Sequence, residues 1–462
     1  MTSWIPRPSS SVTSKNRAIF EALRDDIYSG VLRPGESIPP LRVIANALGV
    51  NPATVKRAFD SAEQEGLLER HVGKGTFVRE DVTDLVRPFQ DRTNVLDMAT
   101  NSPPTVAGQR LQAKLSELAS NTIYVNNLFR YQRDDLIHMH RDAISHWIKR
   151  HGVSCQSDQL VITPGAQAAV ATSVLSCVRP GECIAVEEFT YAGLISACSS
   201  LGIEPVVVDS DENGMLPDAL EHLVSQNPRI RAVFAIPRVN NPTTRTMSKF
   251  RVLELSELAI QNDLKVIEDD SYISEEISDE HPTFVQSIPG HTFYVSGFSK
   301  TVQPGLRIGY VVVPQSDSSI AKTISRSLNY SVSPLHLQIV KDWIEDGTAA
   351  AIRSENQSYF HKRQRLVSNI LAGTLCKADA NNAQVWLPLP DGWTSRRFTE
   401  AALAEGIRVS PAESFMARND APSYEAVRLC VSGITNDDLF AESLTTIAAL
   451  YDSPPETSNY VP

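Results

Sequence analysis

A chain of 462 residues is longer than a single hydrophobic core usually supports, so at least two domains are expected. Hydrophobic residues at 42% and charged residues at 21% match the usage of globular proteins and exclude a disordered or fibrous chain. The net charge of −11 is unevenly spread: residues 1–79 hold 11 Lys and Arg against 8 Asp and Glu, or +3, which leaves −14 on the remainder. A mildly basic head on an acidic body permits nucleic-acid binding without establishing it.

No apolar run reaches the roughly 18 residues of a membrane span, and the opening MTSWIPRPSSSVTSKNR lacks the apolar centre of a signal peptide. The six cysteines, at 155, 177, 183, 198, 376 and 430, form no CxxC pair. A cytoplasmic protein with reduced thiols is expected, and no metal site is assigned.

In the head, Ile19, Leu23 and Ile27 recur at the four-residue spacing of one helical face, and Gly30 ends that helix. A second helix is predicted with Leu41, Ile44, Ala45 and Leu48 on one face and Gly49 just past its end. Asn51 is placed to cap a third helix whose first residue is Pro52. Val55, Ala58, Phe59 and Ala62 form its core side, which turns Thr54, Lys56 and Arg57 outward. After Gly66, LLERHVGKGTFV reads as two short strands around a glycine turn, a wing.

The stretch GVLRPGESIPPLRVIANALGVNPATVKRAFDSAEQEGLLERHVGKGTFV resembles the GntR family of winged helix-turn-helix regulators. The resemblance implies contact of Arg42, Thr54, Lys56 and Arg57 with double-stranded DNA, Arg42 and Lys56 on phosphates. Where the family usually has a serine before the second helix, this chain has Pro40, which offers no hydroxyl to a phosphate.

Residues 80–110 show no sustained period and read as a connector, residues 111–452 as a large domain, and 453–462 as a tail. In the large domain, strand-like runs at LVIT (160), CIAVEEF (183), PVVVD (205), RAVFAIP (231), KVIEDD (265) and TFYVSGF (292) alternate with helical patterns. Such alternation predicts an α/β fold with a mostly parallel sheet and ligands at the carboxyl ends of its strands.

The segment YVSGFSKTVQPGLRIGY, Tyr294 to Tyr310, puts a lysine just beyond a strand and an arginine seven residues later. It resembles the pyridoxal-phosphate lysine motif of fold-type I aminotransferases. Only an amine condenses with the cofactor's aldehyde, and an arginine presents a planar fork to its phosphate. By that resemblance Lys300 is the catalytic lysine and Arg307 and Ser299 hold phosphate, while Gly297 stands where a hydroxyl residue is common.

Further matches follow in the family's chain order. The same resemblance implies that Asp269 pairs with the pyridine nitrogen, that Tyr272 and Asn241 hydrogen-bond the ring oxygen, and that Tyr191 stacks on the ring. Gly165, Ala166 and Gln167 bring helix amides to the phosphate. Thr244 replaces the glycine usual after Asn-Pro-Thr. Arg428, in VRLCV, matches the arginine that grips a substrate carboxylate. Tyr131 resembles the tyrosine that reaches a neighbour's phosphate in a homodimer.

Head and body in this order resemble the MocR regulators: a GntR-type winged helix fused to a fold-type I aminotransferase domain with a small C-terminal α/β subdomain. The resemblance implies a transcription regulator that senses an amine, an amino acid or pyridoxal phosphate itself through an aldimine on Lys300. A second reading is an active aminotransferase with an accessory DNA-binding head.

Overall fold

The computed structural model describes residues 4–7, 14–28, 31–71, 75–79, 95–104, 107–131, 137–272, 283–378, 382–418 and 422–455. The chain divides into two compact units, residues 1–95 and 96–462.

In the first unit, α1 (Lys15–Tyr28), β1 (Ser37–Ile38), α2 (Leu41–Leu48), α3 (Pro52–Gln64), β2 (Leu68–His71) and β3 (Gly75–Val78) follow in chain order. The apolar faces expected from the spacing meet: Ile19, Leu23 and Ile27 of α1 pack with Ile44 and Ala45 of α2 and with Val55, Phe59 and Ala62 of α3. Gly49 ends α2 at φ 63°, a left-handed conformation open to glycine without a Cβ clash. Asn51 Oδ1 accepts the amide of Ala53 at 2.8 Å, and Pro52 occupies the first turn, where no N–H is needed. α2 begins after Pro40 with no side-chain cap. β2 and β3 pair antiparallel as the wing, and β1 adds a third strand beside β3 that alternation over two residues could not announce. Gly30 and the turn residues 72–74 lie outside the described residues.

The second unit opens with β4 (Leu96–Asp97). Its main sheet uses β5 (Leu160–Thr163), β6 (Cys183–Glu187), β7 (Glu204–Val208), β8 (Ile230–Ala235), β9 (Lys265–Asp269), β10 (Thr292–Gly297) and β11 (Gly309–Val312), in the order β5-β11-β10-β9-β8-β6-β7. All six expected runs are strands. β11 is the addition and runs antiparallel to both neighbours, while the pairings among β6 to β10 are parallel. Gly309 and Tyr310 end the lysine motif, and with Val311 and Val312 they form the strand that closes this edge onto β5. Apart from the edge strand β7, which is exposed or half-buried up to Val207, the strands are buried on both faces, so they read as continuous apolar runs rather than alternating ones.

A smaller layer is built from β12 (Lys377–Ala378), β13 (Gln384–Pro388), β14 (Ile407–Arg408), β15 (Ser410–Pro411) and β16 (Ala426–Cys430), with a separate apolar core around Val385, Phe398, Leu429 and Ile447. β14 pairs parallel with β4. The connector expected over 80–110 therefore ends earlier, because Leu96 and Asp97 already pair with β14 of the small layer and Gly108–Ala119 is helical. The two strand residues were too few to show a period. Residues 80–94 and 456–462, in the expected connector and tail, lie outside the described residues. All six cysteines are free thiols.

Candidate functional site

A cavity of about 490 Å³ opens at the carboxyl ends of the central strands, where parallel α/β sheets gather ligands. Each strand end delivers one part of its wall. From β10 come Ser299 and Lys300, from β9 Asp269 and Tyr272, and from the loop after β8 Asn241. Ala166 and Gln167 enter from the helix Ala166–Cys177 behind β5, Tyr191 from the loop after β6, Arg307 from the turn before β11, and Arg428 from β16 of the small layer. Ten of the body residues expected at a cofactor site thus face one space.

Gly165 lies behind the wall rather than in it. It caps the helix at φ 94°, and a Cβ there would sit 2.4 Å from Arg307 Nη2. Gly309 approaches as closely, since its Cβ would meet the Gly165 carbonyl carbon at 2.3 Å. Arg307 is thereby held with Nη1 donating to Ser299 Oγ and Nη2 to the Pro164 carbonyl, both at 3.3 Å, next to the helix N-terminus. Helix amides, a hydroxyl and a guanidinium converge as a phosphate group requires. Gly297, in place of a hydroxyl residue, has its own reason: a Cβ there would press on the Ile308 carbonyl at 3.0 Å.

The three acids at the end of β9 illustrate strand alternation. Glu268 and Asp270 turn away from the cavity: Glu268 accepts the Val285 amide, and Asp270 pairs with Arg238 and accepts from Tyr294 Oη at 2.7 Å. Asp269 alone faces the cavity, where Ser271 donates to it from Oγ at 2.6 Å and from its amide at 3.0 Å. Burial pushes the Asp269 carboxyl up to about 6 despite those bonds. Lys300 is held below the usual lysine range, again by burial first, with Arg428 and Arg307 adding repulsion. The Tyr191 hydroxyl is pushed up to about 12 by burial.

Tyr272 Oη accepts from Asn101 Nδ2 at 2.7 Å and lies 3.4 Å from Gln384 Oε1. Arg428 donates to Asn241 Oδ1 at 2.9 Å and to the Ala99 carbonyl at 2.6 Å, and stacks its guanidinium 4.6 Å from the Phe415 ring centre. Thr244 takes φ 60°, the conformation that the usual glycine adopts freely, so the replacement keeps the turn beside Asn241. Tyr131 is not in the cavity. It is 80% exposed, its ring edge-on to Tyr330 at 4.9 Å.

Sequence reasoning missed Ala99 and Asn101, assigned to the connector, and Phe415 from the small layer, all in the cavity wall, and Gln384, buried behind it against Asn101 and Tyr272. None sits in a motif, and only the fold brings them together.

On the first unit, Arg42, Lys56 and Arg57 are exposed and Thr54 is half-buried, as the outward faces of α2 and α3 require. Lys56 Nζ lies 3.4 Å from Asp60, which also takes Arg70 of β2 at 2.6 Å. Among the described residues no helix is long and apolar enough to cross a membrane.

Residues 93–441 match the model described as aminotransferase class I and II, and residues 15–78 the model of bacterial regulatory proteins of the gntR family. The chain belongs to the aminotransferase class I and II family and carries a GntR-type DNA-binding domain at its head, the arrangement of the MocR regulators. It is 29% identical over 452 residues to the uncharacterized HTH-type transcriptional regulator YdeF of Bacillus subtilis, covering 97% of each chain. To the probable rhizopine catabolism regulatory protein MocR of Rhizobium meliloti it is 26% identical, over 76% of each chain. The fold matches the crystal structure of an archaeal alanine:glyoxylate aminotransferase with a TM-score of 0.71 at 20% identity, over 81% of this chain and 94% of that one. The aminotransferase family and its structural neighbours depend on pyridoxal phosphate, aminotransferase-fold proteins are typically dimers, and a GntR-type head implies DNA binding.

Proposed function

We propose that this chain is a cytoplasmic DNA-binding transcription regulator whose body holds pyridoxal phosphate on Lys300 and responds to an amine or amino acid. The observation that carries the reading is one cavity, on the same chain as a GntR-type head, that gathers Lys300, Asp269, Asn241, Tyr272, Arg307 and Arg428.

The donor set fits the cofactor. The pyridoxal group supplies an aldehyde that condenses reversibly with primary amines and a ring nitrogen that draws electrons from the bond formed. Arg307, Ser299 and the amides of Ala166 and Gln167 would bind phosphate, the guanidinium already donating to Ser299 Oγ beside the helix N-terminus. Asp269 would offer a buried anion to a protonated ring nitrogen, Asn241 and Tyr272 would hydrogen-bond the ring oxygen, and Tyr191 would stack on the ring. Lys300, with its affinity for protons lowered by burial, presents a more available lone pair. Arg428 presents a fork to a carboxylate, which makes an amino acid the favoured effector class.

In the head, Arg42, Thr54, Lys56 and Arg57 are assigned to double-stranded DNA. In a homodimer through the body, the exposed Tyr131 serves the partner's phosphate site.

Borohydride treatment followed by peptide mass spectrometry tests the cofactor step: the pyridoxyl mass should appear on the peptide holding Lys300 and vanish in Lys300→Ala. Retention of operator DNA with and without candidate amines then tests the regulatory step, and unchanged affinity across amines and cofactor removes it. The lowered proton affinity of Lys300 also favours a second reading, an active aminotransferase, because a neutral lysine can move the substrate proton. Sustained conversion of an amino acid and a keto acid distinguishes that reading.

A further inference from the structure

The segment Leu96–Pro104 is stitched to the small layer, and its residues Ala99, Thr100 and Asn101 line the cavity. The Leu96 amide donates to the Gly406 carbonyl at 2.7 Å, the Met98 amide to Arg408 at 2.8 Å, and the Cys430 amide to the Met98 carbonyl at 2.7 Å. The approach is tight enough that a Cβ on Gly433 would lie 1.9 Å from the Asp97 carbonyl oxygen. Beyond Met98 the backbone carbonyls meet two of the cavity's three basic side chains: Ala99 accepts from Arg428 at 2.6 Å, and Asn101 accepts from Lys300 Nζ. The Asn101 side chain bonds Tyr272 at 2.7 Å and Gln384 at 3.0 Å. This segment is also the part of the body nearest in sequence to the DNA-binding head.

We propose that Leu96–Pro104 reads the ligand state of the cavity through the carbonyls of Ala99 and Asn101, which compete with the ligand for Arg428 and Lys300. The inference rests on the cofactor reading above. A free lysine amine has N–H groups to give the Asn101 carbonyl. Joined to an aldehyde carbon, Nζ keeps at most one N–H and is tied to the ring, so that bond is lost. An amine effector takes the aldehyde carbon and returns Lys300 to Asn101. If the effector also carries a carboxylate, that group takes Arg428 with a bidentate, charge-assisted pair that a single carbonyl cannot match, and Ala99 is released. Cofactor alone, amine and amino acid thus leave the segment with three different bond sets, the differential contact that coupling between sites requires. Asn101 is a positioning residue: its side chain anchors the segment to Tyr272 whichever carbonyl is engaged.

The test uses the full chain and amide hydrogen exchange of peptides covering residues 96–104. Four states are compared: cofactor-free, with pyridoxal phosphate, and with pyridoxal phosphate plus either hydroxylamine or aminooxyacetate. In both reactions the probe's nitrogen bonds the aldehyde carbon, the bond from that carbon to Nζ breaks, and the two protons lost by the probe's nitrogen end on Nζ as a free amine. Only aminooxyacetate brings a carboxylate. Pyridoxal phosphate should raise exchange in the segment severalfold, hydroxylamine should return it toward the cofactor-free value, and aminooxyacetate should return it less. In Arg428→Lys, which lacks the fork, the two probes should give the same exchange. Borohydride trapping on Lys300 together with unchanged exchange in all four states overturns this inference and leaves the cofactor reading standing. Absence of trapping overturns both.

Discussion

Replacing Asp269 by Asn should stabilise the cofactor-free protein at neutral pH and weaken it as a cofactor protein, two opposite signs from one substitution. Asp269 is 6% exposed, and its carboxyl is pushed from 3.8 up to about 6 by burial. A carboxyl whose folded value is raised favours the folded state below the unfolded value and loses that contribution as pH rises through the folded one. A rise of about 2 pH units corresponds to about 3 kcal/mol, so keeping Asp269 ionised at pH 7.5 costs up to about that much in the cofactor-free chain. Asn removes the charge and keeps an oxygen to accept both bonds from Ser271. Denaturant melts of the cofactor-free proteins should therefore favour Asp269→Asn by about 1–3 kcal/mol at pH 7.5, with the gap closing as pH falls toward 4. Pyridoxal phosphate should reverse the order, because the wild-type carboxylate gains a ring cation and the amide does not, and the variant's cofactor affinity should fall by about tenfold or more. Equal stability of the two cofactor-free proteins across that pH range, or equal cofactor affinity, would refute the placement of Asp269 as a buried, unpaired counter-ion.

Gly165→Ala should lower cofactor affinity by about tenfold or more in a spectroscopic titration, since its Cβ displaces Arg307 from the phosphate cradle and φ 94° is strained for alanine. Asn51→Ala should cost the head about 1 kcal/mol in a thermal melt of the full chain's first transition, by removing the cap of α3. Arg42→Ala should reduce the salt slope of operator binding by about 1, while Lys56→Ala should reduce it less, because Asp60 already compensates part of that charge. Equal slopes for the two variants would show that the Lys56–Asp60 pair opens on DNA.

The sequence was sufficient for whatever depends on neighbours along the chain. The cap at Asn51, the stop at Gly49, the apolar faces of α1 to α3 and the six parallel strands all follow from local backbone chemistry and from periodicity. The residues that meet in the cavity were legible through motifs, because the chemistry of the resembled family requires a lysine, a phosphate-binding arginine and an acid at particular strand ends. Strand alternation even separates Asp269 from the neighbouring acids, although the spacing alone assigns no face to any of them.

Tertiary structure decided the rest. β11 turns antiparallel, and β4 pairs with a strand some 300 residues away, so Leu96–Pro104 belongs to the body rather than to the connector. Asn101 and Gln384 carry no motif, and 283 residues separate them, yet they meet at the Tyr272 hydroxyl. A two-residue strand has no period, and a hydrogen bond between distant side chains leaves no mark on either local sequence. Such contacts exist only after the two layers have packed, because packing alone brings their carbonyls and amides within bonding distance.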